Sequence, residues 1–189
     1  MNAYAPPEAI PESAKRPGEE PLPGYTLIEP LGRGGFGEVW KCEAPGGLHK
    51  AIKFVASDEA NHSLRQEFDA FQAIKQIRHP FLLQLERVEL TSEELIMVME
   101  LADTQLQVKF LEYRNAGMPG IPRDELLGYL ADAAEALDVI SVRHGLQHLD
   151  VKPANLFLIC GRVKVGDYGL VRAETNVAAQ TNRGFTPRY

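Results

Sequence analysis

Apolar residues fall into short, closely spaced runs up to about residue 100 and into helical spacing beyond it. Tyr25-Thr26-Leu27-Ile28 and Glu38-Val39-Trp40-Lys41 predict two strands around a glycine-rich turn, and Lys50-Ala51-Ile52-Lys53-Phe54-Val55 predicts a third. Leu64, Phe68, Phe71 and Ile74, spaced by three and four, predict a helix that ends before His79-Pro80. Further strands are expected over residues 81–90 and 94–100, making a small sheet that carries one helix. The second half reads as mainly helical. A short helix over residues 106–115 is closed by Gly117-Met118-Pro119-Gly120. A longer one is expected over residues 122–144, with a proline near its start, Asp124 and Glu125 in its first turn, and Leu126, Leu130, Leu137 and Ile140 on one face. Two short strands, over 156–159 and 163–165, flank a tight turn at Cys160-Gly161-Arg162.

Composition changes this picture mainly at the N-terminus. Residues 1–24 hold six of the 13 prolines, with Glu8, Glu12, Glu19 and Glu20 among them, and are expected to form a flexible or polyproline-like leader. The chain of 189 residues is 44% hydrophobic and 24% charged, which fits a folded domain. Its longest apolar runs, such as Leu95-Ile96-Met97-Val98-Met99, are strand-sized and far short of the ~18 residues that mark a membrane span. The first ten residues lack the features of a signal peptide. Cys42 and Cys160 do not make a disulfide framework, so free thiols and a cytoplasmic location are expected. A net charge of −6 argues against a general nucleic-acid binder.

Three constellations carry chemistry. In Gly32-Arg33-Gly34-Gly35-Phe36-Gly37-Glu38-Val39, the glycines let backbone amides approach phosphates. The same spacing fits a dinucleotide-binding turn or a plain loop, but a dinucleotide turn leads into a helix, whereas strand follows here. Lys53 lies on an apolar strand and points either to solvent or to phosphates; the second role needs an acid on the following helix. Glu67 is the candidate, with Asp69 as the alternative. The most specific set is His148-Leu149-Asp150-Val151-Lys152-Pro153-Ala154-Asn155, followed by Asp167-Tyr168-Gly169. Phosphoryl transfer needs charge neutralisation and an oriented hydroxyl more than covalent help. Asp150 suits the hydroxyl, Lys152 the transferred group, and Asn155 with Asp167 the oxygens for Mg²⁺.

On these motifs the chain resembles the eukaryotic-type Ser/Thr protein kinase superfamily over residues 25–189. The resemblance implies an α+β, bilobal fold. Its N-lobe (25–102) would be an antiparallel sheet plus one helix, and its C-lobe (103–189) partial and mainly helical. It implies ATP and Mg²⁺, with Gly32, Gly34, Gly35, Phe36 and Gly37 over the phosphates. By the same resemblance Met99 is the gatekeeper, and Glu100 and Ala102 form the adenine-binding hinge. Val39, Ala51 and Phe157 sandwich the base, while Phe71, Leu85, Tyr168 and His148 stack between the lobes. Lys53, Glu67, Asp150 and Lys152 become the catalytic set, acting on a Ser or Thr hydroxyl of a protein substrate. The Asp-x-Lys-Pro-x-Asn form and Thr186 both resemble Ser/Thr kinases and disfavour a small-metabolite kinase. A module that binds nucleotide without turnover is the alternative.

Two departures stand out. Leu149 replaces the arginine that usually clamps a phosphorylated loop, so activity is expected not to depend strongly on phosphorylation of Thr175 or Thr181. The chain also ends before the family's Ala-Pro-Glu segment. From that, exposed apolar surface on the 122–144 helix and around the catalytic loop, low stability and at best weak activity are expected.

Overall fold

The computed structural model describes residues 15–34, 37–56, 63–92, 94–168 and 172–173. Five antiparallel strands, β1 (Thr26–Gly34), β2 (Gly37–Ala44), β3 (Leu48–Ala56), β4 (Leu85–Leu90) and β5 (Glu94–Glu100), form one sheet in the order β1-β2-β3-β5-β4. Helix α1 (Ser63–Gln76) packs against β4. Strand β6 (Thr104–Gln105) then leads into α2 (Leu106–Asn115) and α3 (Arg123–Asp138). Strands β8 (Leu156–Ile159) and β9 (Arg162–Val165) form a hairpin beside β6, and the pair β7 (Leu146–Gln147) and β10 (Arg172–Ala173) closes the described chain. These elements form two lobes, as the resemblance implies, with the sheet and α1 in one and α2 and α3 in the other.

Strand alternation builds two cores from the same sheet. Ala51 on β3 and Leu95, Met97 and Met99 on β5 face α1 and the second lobe. Ile52, Phe54, Ile96 and Val98 face the opposite side with Trp40 and Cys42 of β2. A strand buried on both faces reads as a continuous apolar run, as β5 does. The outer core therefore needs a cover, and residues 15–25 supply it. Leu22 is 3% exposed within that cluster, and Tyr25 packs against it. The Lys15 ammonium lies 4.2 Å from the Phe54 ring centroid and 2.6 Å from Glu94 Oε1.

This corrects the expectation of a flexible leader for its described part. Two of the three prolines of this stretch, Pro17 and Pro23, belong to Pro-Gly turns. Glu19 N–H donates to Arg16 O across Pro17-Gly18, and Tyr25 N–H donates to Leu22 O across Pro23-Gly24. Both glycines take positive φ, 87° and 83°, the requirement of a turn with proline before glycine. Gly18 N–H and Glu19 O then pair with the backbone of Leu27 on β1. Leu22→Ala is expected to cost about 2–4 kcal/mol by chemical denaturation; an unchanged midpoint would mean that residues 15–25 do not cover the sheet.

Two further expectations are corrected. The strand expected over 81–90 begins only at Leu85. Residues 81–83 turn instead to the second lobe: Val165 N–H donates to Phe81 O, and Leu83 N–H donates to Val165 O. The face assigned to α3 is corrected at one position, since Leu126, Leu137 and Ile140 pack on the core and Leu130 does not. Tyr129, Asp132, Ala133 and Ala136 are its buried residues, whereas Leu130 is 46% exposed. Small alanines let β9 approach, and Arg162 grips Asp132 through both carboxylate oxygens at 2.9 and 2.6 Å. That grip holds the Asp132 carboxyl below its usual range. The helix then widens into a π-turn over Val139–Arg143. Leu127, Leu130, Val142, Leu149 and Val151 are exposed, in the regions expected to show apolar surface.

Candidate active site

A cavity of about 550 Å³ opens between the lobes, within the range of small-molecule sites. Its lining brings together Gly32, Gly37, Val39, Ala51, Lys53, Met99, Glu100, Ala102, Asn155, Phe157 and Asp167. Gly34 ends β1, and Gly35 and Phe36 lie outside the described residues. Leu83, Met97 and Leu101 also line it and were missed from sequence. Met97 was findable, since it lies two residues from Met99 on the same face of β5. Leu83 carried no periodic signal, because it sits in the irregular link before β4.

The glycine turn has a requirement of its own. Gly37 has φ 107°, and a Cβ there would lie 1.9 Å from Phe54 O and 2.9 Å from its carbonyl carbon. Glycine is thus demanded by the close pass of β2 over β3. A Cβ on Gly32 would meet nothing within 4 Å, so that position faces open space.

Lys53 is buried at 8% exposure, and its Nζ lies 2.6 Å from Asp167 Oδ1. The cost of burying the ammonium is offset by this pair. The Glu67 side chain lies outside the described residues; Asp69, the alternative, is exposed on α1. Thr175, Thr181, Thr186 and Gly169 are also outside them.

The catalytic loop is organised around Asp150. Lys152 Nζ donates to its Oδ2 at 2.8 Å, and Asn155 Nδ2 donates to the same oxygen and to its backbone carbonyl, both at 2.9 Å. With Nδ2 committed, Asn155 has its oxygen to offer a cation. Gly166 N–H donates to Asn155 O at 3.0 Å, which ties this loop to the segment bearing Asp167. A Cβ on Gly166 would come within 2.8 Å of the Leu83 side chain and 2.9 Å of the Phe157 ring, so any larger residue there must displace both side chains.

His148 fixes the same junction from below. Its Nε2 lies 2.9 Å from Gly166 O, and Asp150 N–H reaches its Nδ1 at 3.4 Å. A carbonyl only accepts, so Nε2 carries the proton and Nδ1 accepts: the neutral ring satisfies both contacts. Burial pushes its pKa below the ordinary value. The unfolded chain therefore takes up this proton first as pH falls, and stability drops from about pH 6.5 downward. Denaturation midpoints at pH 7.5 and 5.5 are expected to diverge less in His148→Gln than in the parent chain; an identical pH slope would contradict this assignment.

Phe71, Leu85, Tyr168 and His148 are all buried, and the last two rings lie 5.8 Å apart. The Tyr168 hydroxyl lies 2.7 Å from Val165 O and 3.0 Å from Leu83 O, so it bridges the lobes where a phenylalanine could not. Backbone strain gathers here as well. Leu149 (φ 59°), Asp167 (φ 56°) and Cys160 (φ 50°) are the described non-glycine residues with positive φ, and the first two lie in the chemical segments. Such strain costs about 1–3 kcal/mol per residue and persists where surrounding bonds enforce it.

Residues 25–189 match the protein kinase domain family. Among curated proteins, the chain is 30% identical to protein-tyrosine kinase 6 of Mus musculus, over 82% of this chain and 34% of that one. It is 31% identical to the probable serine/threonine-protein kinase PknB of Lactococcus lactis, over 85% of this chain and 26% of the relative. It is also 31% identical to serine/threonine-protein kinase MPS1 of Saccharomyces cerevisiae, over 87% and 22% respectively. The chain thus spans about a third or less of each of these relatives.

Proposed function

The chain belongs to the protein kinase family, and from that premise we propose that it transfers the γ-phosphoryl group of ATP to serine or threonine hydroxyls of a protein substrate. One observation carries the reading. A buried lysine pairs with Asp167 at 2.6 Å in the wall of an interlobe cavity, which Asn155, bonded into one unit with Asp150 and Lys152, also lines. In this reading the adenine lies between Val39 and Ala51 on one side and Phe157 on the other. Glu100 and Ala102 meet its edge, and Lys53 holds phosphate oxygens beneath the glycine turn.

The donor set fits Mg²⁺, because the Asp167 carboxylate and the Asn155 amide oxygen are the hard oxygen ligands it takes. When bound, Mg²⁺ neutralises charge on the phosphates. Asp150 accepts a hydrogen bond from the acceptor hydroxyl, which aims its oxygen at the γ-phosphorus. As that oxygen–phosphorus bond forms, the bond to the β-phosphate oxygen breaks, ADP leaves, and Asp150 receives the hydroxyl proton. Lys152 stands beside Asp150 to hold the negative charge of the group in transit.

The choice of Ser/Thr over Tyr is supported by Lys152-Pro153 and Thr186, while the relatives' names include kinases of both kinds. A cytoplasmic setting is supported by two free cysteines; burial pushes the Cys42 thiol up to about 11, which keeps it protonated and unreactive. No described helix is long and apolar enough to cross a membrane. Mg²⁺ is expected to tighten ATP binding by about tenfold or more in calorimetric titration, and Asp167→Asn to remove that gain. Equal affinity with and without Mg²⁺ would speak against the reading.

A further inference from the structure

Glu100 ends β5 at the hinge, and the cation on its carboxylate comes from the other lobe: Lys164 Nζ lies 2.6 Å from Glu100 Oε2. Lys50 stands directly opposite Glu100 on β3, yet it pairs with Glu86. Lys164 lies on β9 in register with Phe157 of β8, and residues paired across antiparallel strands share a face. The lysine therefore rises beside Phe157, in the floor of the cavity, to reach the hinge. Both partners are largely shielded, at 18% and 28% side-chain exposure, so water screens the pair less than a surface ion pair.

The surrounding bonds sharpen the geometry. Glu100 N–H donates to Gln84 O at 3.1 Å, and Asp103 N–H donates to Leu158 O at 2.9 Å. The hinge is thus bonded at both ends, to the link before β4 and to the floor strand β8. Lys164 adds a tie from the floor to the residue whose carbonyl is assigned to the adenine edge. We propose that Lys164 is a positioning residue for the nucleotide base. Its pair with Glu100 sets the height of the slot between Phe157 and the roof formed by Val39 and Ala51, and it holds the Glu100 carbonyl in line. The inference rests on the assignment of this cavity to ATP.

The test uses the full chain as Lys164→Met, Lys164→Arg, Glu100→Gln and the Lys164→Met/Glu100→Gln double variant. Affinities for ATP and for adenosine, which lacks phosphates, are measured together with dissociation rates and hinge amide exchange without ligand. Each neutral single variant is expected to weaken both ligands by about three- to tenfold, through faster dissociation. The double variant should be no weaker than either single one, and Lys164→Arg should restore binding. Hinge amides should exchange faster in the neutral variants. Wild-type affinity in Lys164→Met, or single effects that multiply in the double variant, would overturn the proposal, as would a loss of ATP binding with adenosine unaffected. If the parent chain binds no adenine compound while the exchange difference persists, the nucleotide assignment fails and the tie between floor and hinge stands.

Discussion

Asp150→Asn is expected to lower phosphoryl transfer by about 10²–10⁴-fold, the usual worth of a positioned general base, while ATP affinity stays within about threefold. The asymmetry follows from the site. Asp150 does not line the cavity, whereas Lys53, Asn155 and Asp167 do. Its Oδ2 is fixed by Lys152 and Asn155, and an asparagine keeps that shape. What it loses is the capacity to take a proton, together with the charge that pairs with Lys152. Rates of label transfer from γ-labelled ATP, measured beside nucleotide titrations, read both halves. A variant that still transfers at the parent rate would remove Asp150 from the chemistry.

The second large effect concerns the fold beneath the phosphates. Gly37→Ala is expected to destabilise the chain by about 3–5 kcal/mol, because the new Cβ would sit 1.9 Å from a backbone oxygen of β3 at a φ that side chains rarely adopt. A flexible side chain could yield to such contact; Phe54 O cannot move without shifting the strand that carries Lys53. Chemical denaturation measures the loss. Gly32→Ala is the control, since its Cβ meets nothing within 4 Å. Equal stability of the two variants would show that the glycine pattern answers only to the ligand.

Sequence pattern located β3 and β5 closely because these strands are short, apolar and bounded by polar residues. It placed Lys53, Asn155 and Asp167 together because their motifs occur in a fixed order. The same pattern misjudged residues 15–24, where proline content suggested disorder. The missed signals were Pro17-Gly18 and Pro23-Gly24, each a turn, and the unbroken run Leu95-Ile96-Met97-Val98-Met99, which implies burial on both faces. The burial of Asp132 on α3 had no such signal. Asp132 is tolerable on a buried face only because Arg162, from a hairpin 30 residues away, neutralises it. The demand for glycine at 37 likewise arises from contact with the backbone of another strand, which no local spacing encodes.

Three of the ties between the lobes lie at the site. Lys53 meets Asp167, the Tyr168 hydroxyl bridges to Leu83 O, and Lys164 meets Glu100. Nucleotide affinity and lobe alignment therefore share these residues. The most direct test is the identity of the phosphorylated residue after incubation of the 189-residue chain with γ-labelled ATP, Mg²⁺ and a mixed protein substrate. Label on serine and threonine, absent in Asp150→Asn, is the expected result; label on tyrosine, or none above that variant, would overturn the assignment.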